Sequence, residues 1–218
     1  TMLNKRSFKV FLVFFLLYTL HFTHYANIAS CADKGNPPVA HWRFDEAGGP
    51  TAYDESANNN DGTLVNHAKF VPGKIGKAMQ FDGVDDQVSI TSSSSLQITG
   101  SLTIEFWIYG NNLGSNRINP VDKAYGGEFA LTMETDGSMS YFHGQTFSTY
   151  YGTTPLPAGS LVNSQWIHVA VVRDSASKVI KGYKNGILLT TSGVYSPDPA
   201  VQAGYPVVIG MGYTGVDL

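Results

Sequence analysis

From residue 39 onward no amphipathic 3.6-residue period persists for three turns. Short runs of β-branched and aromatic residues alternate instead with clusters of Gly, Asn, Asp, Ser and Pro. This punctuation is the strongest constraint on the fold, because a short apolar run closed at both ends by turn formers can bury one face only as a strand. Residues 102–109 are the clearest case. Leu102, Ile104, Phe106 and Ile108 fall on one face, and Glu105, Trp107 and Tyr109 on the other. Residues 166–173 are nearly all apolar, the pattern of a strand covered on both sides. Residues 178–183 and 187–190 flank Asn185-Gly186, a pair that supplies the positive φ angles of a type I′ hairpin turn.

Further strands are predicted over 40–44, 78–81, 87–90, 128–134, 138–143 and 207–209. About nine or ten short strands at this spacing imply an all-β, two-sheet antiparallel sandwich. The 23 Gly agree with a turn-rich β protein. There is no internal repeat, and the Ser-rich tract 91–95 reads as a loop.

The N-terminus has a different character. Lys5, Arg6 and Lys9 lead into an apolar run over 10–20 that is about half the length a membrane-spanning helix needs. Residues 1–32 are therefore expected to be a signal peptide, of secretory or lipoprotein type, with an uncleaved anchor as the alternative. Residues 33–38, with Pro37-Pro38, would be a linker, and 39–218 the domain. Ser30 and Ala32 suit cleavage after Ala32, whereas Ile28-Ala29-Ser30-Cys31 resembles a lipobox that would make Cys31 a lipidated first residue. The polar stretch 21–27 favours the secretory route. Both routes predict an extracellular, periplasmic or lipid-anchored protein that meets a membrane only through the leader or a lipid on Cys31. With a single Cys, no internal disulfide is available.

Removing the leader takes three basic residues and no acidic ones, moving the formal charge from −3 to −6. Nucleic acid is excluded as a partner, since its recognition needs clustered Lys and Arg.

Six segments, in order, resemble the LamG-like jelly-roll domain (laminin G-like type 3) of the concanavalin A-like lectin/glucanase superfamily. They are Val39-Ala40-His41-Trp42-Arg43-Phe44-Asp45-Glu46, Asp54-Glu55-Ser56-Ala57-Asn58, the run from Gly76 to Asp86, that from Ser101 to Trp107, Trp166-Ile167-His168-Val169-Ala170, and Tyr183-Lys184-Asn185-Gly186. The resemblance implies a jelly-roll sandwich, a binding role and, in related domains, Ca2+ at loop carboxylates. Two departures stand out. Ala57 occupies a turn position where the family has Gly, so the turn is expected to be strained or shifted. The family's closing Gly-x-Ile-Asp-Glu-Val-x-Ile-Tyr strand is not found before Leu218, so the domain is expected to be C-terminally incomplete, with an unpaired strand around Trp42 and marginal stability.

Among residues that could carry chemistry, Asp54, Asn58, Asp82 and Asp85 are the candidate Ca2+ ligands, because Ca2+ takes hard oxygen donors. The loop around Asp54 is no EF-hand, since Asn59 and Val65 stand where Gly and Glu are required. Both Asp-rich loops also read as ordinary Asx turns. Glu134-Thr135-Asp136 matches the start of a glucanase Glu-x-Asp-x-x-Glu strand, but Met139 replaces the second Glu, so a turn at Asp136-Gly137 is the expectation. His168 reads as structural, and His41, His67 and His143 lack metal-ligand spacing.

Tyr141, Phe147, Tyr150 and Tyr151 form an aromatic stretch that could offer flat faces to sugar rings or could make ordinary cross-strand pairs. The expected function is a non-catalytic extracellular binding or adhesion module for carbohydrate or extracellular protein, with Ca2+ as candidate cofactor. The alternatives are an accessory domain of a longer glycoside hydrolase or sialidase, and a cell-surface spacer.

Overall fold

The computed structural model describes residues 9–18, 37–111 and 116–212. In chain order the strands are β1 (Lys9–Tyr18), β2 (His41–Trp42), β3 (Thr51–Ala52), β4 (Gly62–Val65), β5 (Lys69–Pro72), β6 (Lys77–Phe81), β7 (Gln87–Ile90) and β8 (Leu102–Asn111). They continue with β9 (Ile118–Ala124), β10 (Phe129–Met133), β11 (Met139–Thr146), β12 (Thr149–Leu156), β13 (Trp166–Asp174), β14 (Val179–Lys184), β15 (Ile187–Thr191) and β16 (Val207–Gly212). Among the described residues a single 3-10 turn, at Ser94–Leu96, interrupts them.

All pairings between strands are antiparallel. The first sheet runs β15-β14-β13-β8-β1-β6-β5, with β2 also on β1, and the second runs β12-β11-β10-β9-β16-β7-β4-β3. The two sheets form the jelly-roll sandwich expected from the sequence.

Alternation builds the core. Ile104, Phe106 and Ile108 of β8 with Ile167, Val169 and Val171 of β13 meet Leu131 and Met133 of β10, Val121 of β9 and Ile209 of β16, all essentially without exposure. At roughly 1.5–3 kcal/mol for each buried large side chain, this layer is the main source of stability. Trp42 is also fully buried, and its indole Nε1 donates to the carbonyl of Asn60. The β14–β15 hairpin turns at Asn185 (φ 50°) and Gly186 (φ 79°), as the sequence predicts.

Arg173 crosses the sandwich. Wholly buried on β13, it donates to the carbonyls of Gly100, Ile98 and Glu128 and to the hydroxyl of Tyr141. A guanidinium is suited to this because it presents five fixed donors. Tyr141 in turn donates to Nδ1 of His143, whose Nε2 donates to the Pro197 carbonyl. Burial first, and then the Arg173 charge, push the His143 imidazole down to a pKa of about 4, so it is neutral in this chain of bonds.

One sequence expectation changes here, and another is resolved between its alternatives. The strand around Trp42 is not left unpaired: β1 lies between β6 and β8 and pairs with His41–Trp42 as well. A long apolar run can satisfy such a slot because each residue brings one N–H and one C=O to the ladder. Residues 9–18 are thus both the apolar part of the expected leader and a strand of the first sheet. The expected cleavage sites at Cys31 and Ala32 lie outside the described residues. The turn containing Ala57 is shifted rather than strained, since the left-handed conformation is taken by Asn59 (φ 52°), a residue type that tolerates it.

Candidate functional site

The outer face of the second sheet is indented and carries polar side chains, Asn119, Asp122, Thr132 and Ser140, that are nonetheless buried. On β9, Asn119 donates from Nδ2 to Oδ2 of Asp122 at 2.8 Å, and Thr132 of β10 donates to Oδ1 of Asn119 at 2.9 Å. Beside them Arg117 grips Glu134 through Nε (2.7 Å) and a terminal nitrogen (3.1 Å), while Ser140 of β11 donates to the same carboxylate. These bonds form a polar strip across three strands. Strand β9 is not legible in the sequence because Pro120 and three polar or charged residues, Asn119, Asp122 and Lys123, argue against a central strand. The register shift opposite Pro120 accommodates the proline, and the strip accommodates the polar residues.

Along one side of the strip runs a chain of aromatic rings. Tyr125, in the turn after β9, contacts Phe147 edge-on (5.0 Å between centroids) and Tyr150 at 88° (5.2 Å). Phe142 extends the chain beyond Tyr150 (6.2 Å), and Tyr205 extends it beyond Phe147 (5.5 Å). Two glycines make room for these rings. A Cβ on Gly152 would stand 2.8 Å from the Phe142 ring, and one on Gly144 would stand 2.7 Å from Tyr150.

The face holds two adjoining cavities that share Asp122 and Tyr125. One of about 210 Å³ contains Arg117, Asn119, Thr132 and Tyr150. The other, of about 500 Å³, is more apolar and contains Phe147, Tyr205, Val208 and Met211.

The four aromatic residues singled out from the sequence divide by strand alternation. In the β11–β12 register Phe142 faces Gly152, Gly144 faces Tyr150, and His143 faces Tyr151. Tyr150 and Phe147 therefore belong to the groove. Tyr141 does not: it is 1% exposed and points inward to Arg173. Tyr151 also lies off the groove, stacked on His143 (5.5 Å) and against Tyr195 (5.9 Å). Period-two counting through 141–143 and 150–152 carries the signal that separates them. Tyr125 and Tyr205, by contrast, sit in Gly-rich turns with no periodic signal at all.

The family profile of the concanavalin A-like lectin/glucanases superfamily, laminin G type 3, matches residues 82–217. The chain belongs to this superfamily. No curated protein sequence matches it significantly. Among solved structures, this laminin G type 3 chain is similar to domain 4 of AbnA, a GH43 extracellular arabinanase from Geobacillus stearothermophilus in complex with arabinotriose. That match has 19% identity and a TM-score of 0.61 over 80% of this chain and 84% of that one. It is also similar to the binding domain of Paraclostridial Mosquitocidal Protein 1 (15% identity, TM-score 0.61, 78% and 46% covered). A third similar structure is that of botulinum neurotoxin type C, described by its dependence on two ganglioside molecules for cell entry (13% identity, TM-score 0.57, 80% and 45% covered). The chain thus spans less than half the length of the two toxin chains. At these identities the likeness is one of fold.

The candidate Ca2+ ligands lie, as in the sequence, in two separate loops. The Asp54 carboxylate already accepts from the backbone N–H of His41, Ser56 and Asn60 and from the Ser56 hydroxyl. Asn58 donates its amide to the Val39 carbonyl. Asp82 accepts from the N–H groups of Val84 and Asp85, an Asx turn. Register places Ala52 and Ile90 beside Gly62, and Gln87 beside Val65. Asp54 and Asp82 thus belong to loops at opposite ends of β4, more than about 10 Å apart at 3.3 Å per residue. The structure instead brings His67, Asp85 and Asp86 together, with ligand atoms within 4.8 Å of one another. Asp86 is buried there and accepts from the N–H groups of His67 and Asp82.

The glucanase-like residues make the expected turn. Gly137 has φ 76°, Asp136 accepts from the Ser138 N–H, and Met139 is fully buried in the core. These bonds from Ser138 hold the exposed Asp136 carboxyl below its ordinary range. His168 packs against Trp107 (5.3 Å), 3.7 Å from Glu105, in keeping with a structural role.

Proposed function

We propose that this chain is a non-catalytic carbohydrate-binding module, with the grooved outer face of the second sheet as its binding surface. One observation carries the reading: five aromatic rings line a groove whose other wall is a strip of hydrogen-bonded amide, hydroxyl, carboxylate and guanidinium groups. Sugar rings present apolar faces and hydroxyl rims. Tyr and Phe serve the faces, and Asn, Asp, Thr and Arg serve the rims. Two carboxylates of this face are held by their neighbours, Glu134 by Arg117 and Ser140, and Asp122 by Asn119. This arrangement favours binding over the proton transfers that glycoside hydrolysis demands of its paired acids.

The similar arabinanase domain, solved with arabinotriose, supports a module that holds a larger extracellular enzyme or surface protein to its polysaccharide. The toxin binding domains support recognition at a cell surface. Both fit the extracellular location expected from the sequence.

Tyr125 touches both aromatic arms, so Tyr125→Ala severs the platform at its centre. A glycan array probed with the intact chain and this variant tests the reading. Signal is expected on polysaccharide fragments for the parent and is expected to fall at least about tenfold, or about 1.4 kcal/mol, for the variant. Equal signals from both folded proteins would refute the assignment of the groove.

A further inference from the structure

We propose that the groove selects neutral, extended oligosaccharides and discriminates against those carrying carboxylate or sulfate groups; this rests on the carbohydrate-binding reading above. The argument begins with the cations. An anionic sugar entering a half-enclosed site must exchange hydration for a protein cation or hydrogen-bond donor. The two basic side chains among the described groove-lining residues are Arg117 and Lys123. Arg117 is engaged in a bidentate pair with Glu134. Lys123 is paired with Glu128, and both side chains are fully buried. The same cavities contain the carboxylates of Asp122 and Asp85. A uronate placed in the groove therefore meets like charge, while the cations that could receive it are already committed to internal partners. A neutral sugar loses no charge–solvent interaction, and its hydroxyls can donate to Asp122 and accept from amide groups.

The dimensions add the second half. Groove-lining residues run from Phe142 on β11 across β10, β9 and β16 to Gln87 and Ser89 on β7. Four strand spacings of about 4.8 Å give roughly 19 Å, the reach of a short oligosaccharide rather than of one sugar. Tyr125 and Asp122 stand where the polar and apolar compartments meet, so a ligand that satisfies both must pass them. Affinity is expected to climb with chain length until both compartments are filled.

Titration calorimetry on the intact chain separates the possibilities. The probes are tetrasaccharides of neutral β-1,4-glucan, β-1,4-xylan and α-1,5-arabinan against tetragalacturonate, each from 50 to 500 mM NaCl, with the parent and the Asp122→Asn variant. The expected result is a neutral tetrasaccharide bound at least about tenfold more tightly than tetragalacturonate, with a Kd that salt leaves unchanged because no charge pair forms. Asp122→Asn is expected to narrow that ratio by improving the acidic probe relative to the neutral one. Tighter binding of tetragalacturonate, weakened by salt, would overturn the selectivity while leaving a carbohydrate site in place. No binding of either class would overturn both.

Discussion

Arg173→Met replaces a buried guanidinium by an apolar side chain of similar length, and the structure states what is lost. Bonds to the carbonyls of Gly100, Ile98 and Glu128 and to the Tyr141 hydroxyl disappear together. The carbonyl oxygens of the buried Ile98 and Glu128 then lose their partner, at roughly 1–3 kcal/mol each, whereas that of the exposed Gly100 can turn to water. Against this, the mutant no longer buries a cation, which offsets part of the loss. The net effect is expected near the 3–5 kcal/mol typical of removing one member of a buried polar set, so about 4 kcal/mol. For a chain of this size that corresponds to a fall in Tm of roughly 8–16 °C. Lys178→Met is the comparison, because its ion pair with Asp198 is 44% and 58% exposed and is worth less than about 1 kcal/mol. Denaturant unfolding of both variants gives the free energies. Histidine NMR gives a second readout: His143 should titrate above its parent value of about 4, yet stay below 6.5, because burial remains its main perturbation. A loss for Arg173→Met no larger than that for Lys178→Met would refute the idea that this guanidinium joins the two sheets.

Three further outcomes are expected. Burial lifts the Glu105 carboxyl from 4.5 to about 7 on a side chain 29% exposed. The folded state therefore holds its proton longer than the unfolded one, and stability declines as pH rises from about 4.5 to about 7, by at most about 3 kcal/mol at 1.36 kcal/mol per pH unit. Glu105→Gln should remove that decline, leaving the variant more stable than the parent at pH 8 and equal to it near pH 4; parallel pH profiles would contradict this. Asp54→Ala should cost about 3 kcal/mol or more by releasing four hydrogen bonds, and the cost should be the same in EDTA as in Ca2+; a loss confined to Ca2+ buffer would make Asp54 a ligand after all. Leu12→Pro deletes an N–H from a strand paired to Met79 on one side and Ile108 on the other. Calorimetry should show a clearly lower Tm, whereas an unchanged melt would show that residues 9–18 do not belong to the sheet.

The strands that could be read from sequence are those whose two faces differ or whose turns are chemically explicit. The segment 102–109 alternates cleanly because β8 has one face in the core, and Asn185-Gly186 announces its own turn. Strand β9 was illegible for the opposite reason, since its outward polar residues are buried in a groove that only the folded sheet creates. The aromatic stretch was visible, but its division was not: Tyr150 and Tyr151 are adjacent in sequence and face opposite ways. Tyr125 and Tyr205 reach the groove from turns, where no periodicity exists to place them. The Asp-rich loops were seen as oxygen clusters, but the sequence cannot show that the Asp54 oxygens are already filled by backbone N–H groups of their own loop. Residues 10–20 have the length and flanks of a leader, and equally the apolarity of a buried strand; composition alone does not separate the two.

The neighbouring tyrosines also give the most direct test of the binding face. Affinity for a neutral tetrasaccharide should be measured by calorimetry for the parent, Tyr150→Ala and Tyr151→Ala, each checked for folding by its melting curve. Tyr150 lines the groove, 48% exposed, and Tyr151 packs on His143 away from it. A carbohydrate site on the grooved face predicts that Tyr150→Ala weakens binding at least about tenfold, or about 1.4 kcal/mol, while folded Tyr151→Ala binds as the parent does. The reverse order, or equal loss from both, would contradict it.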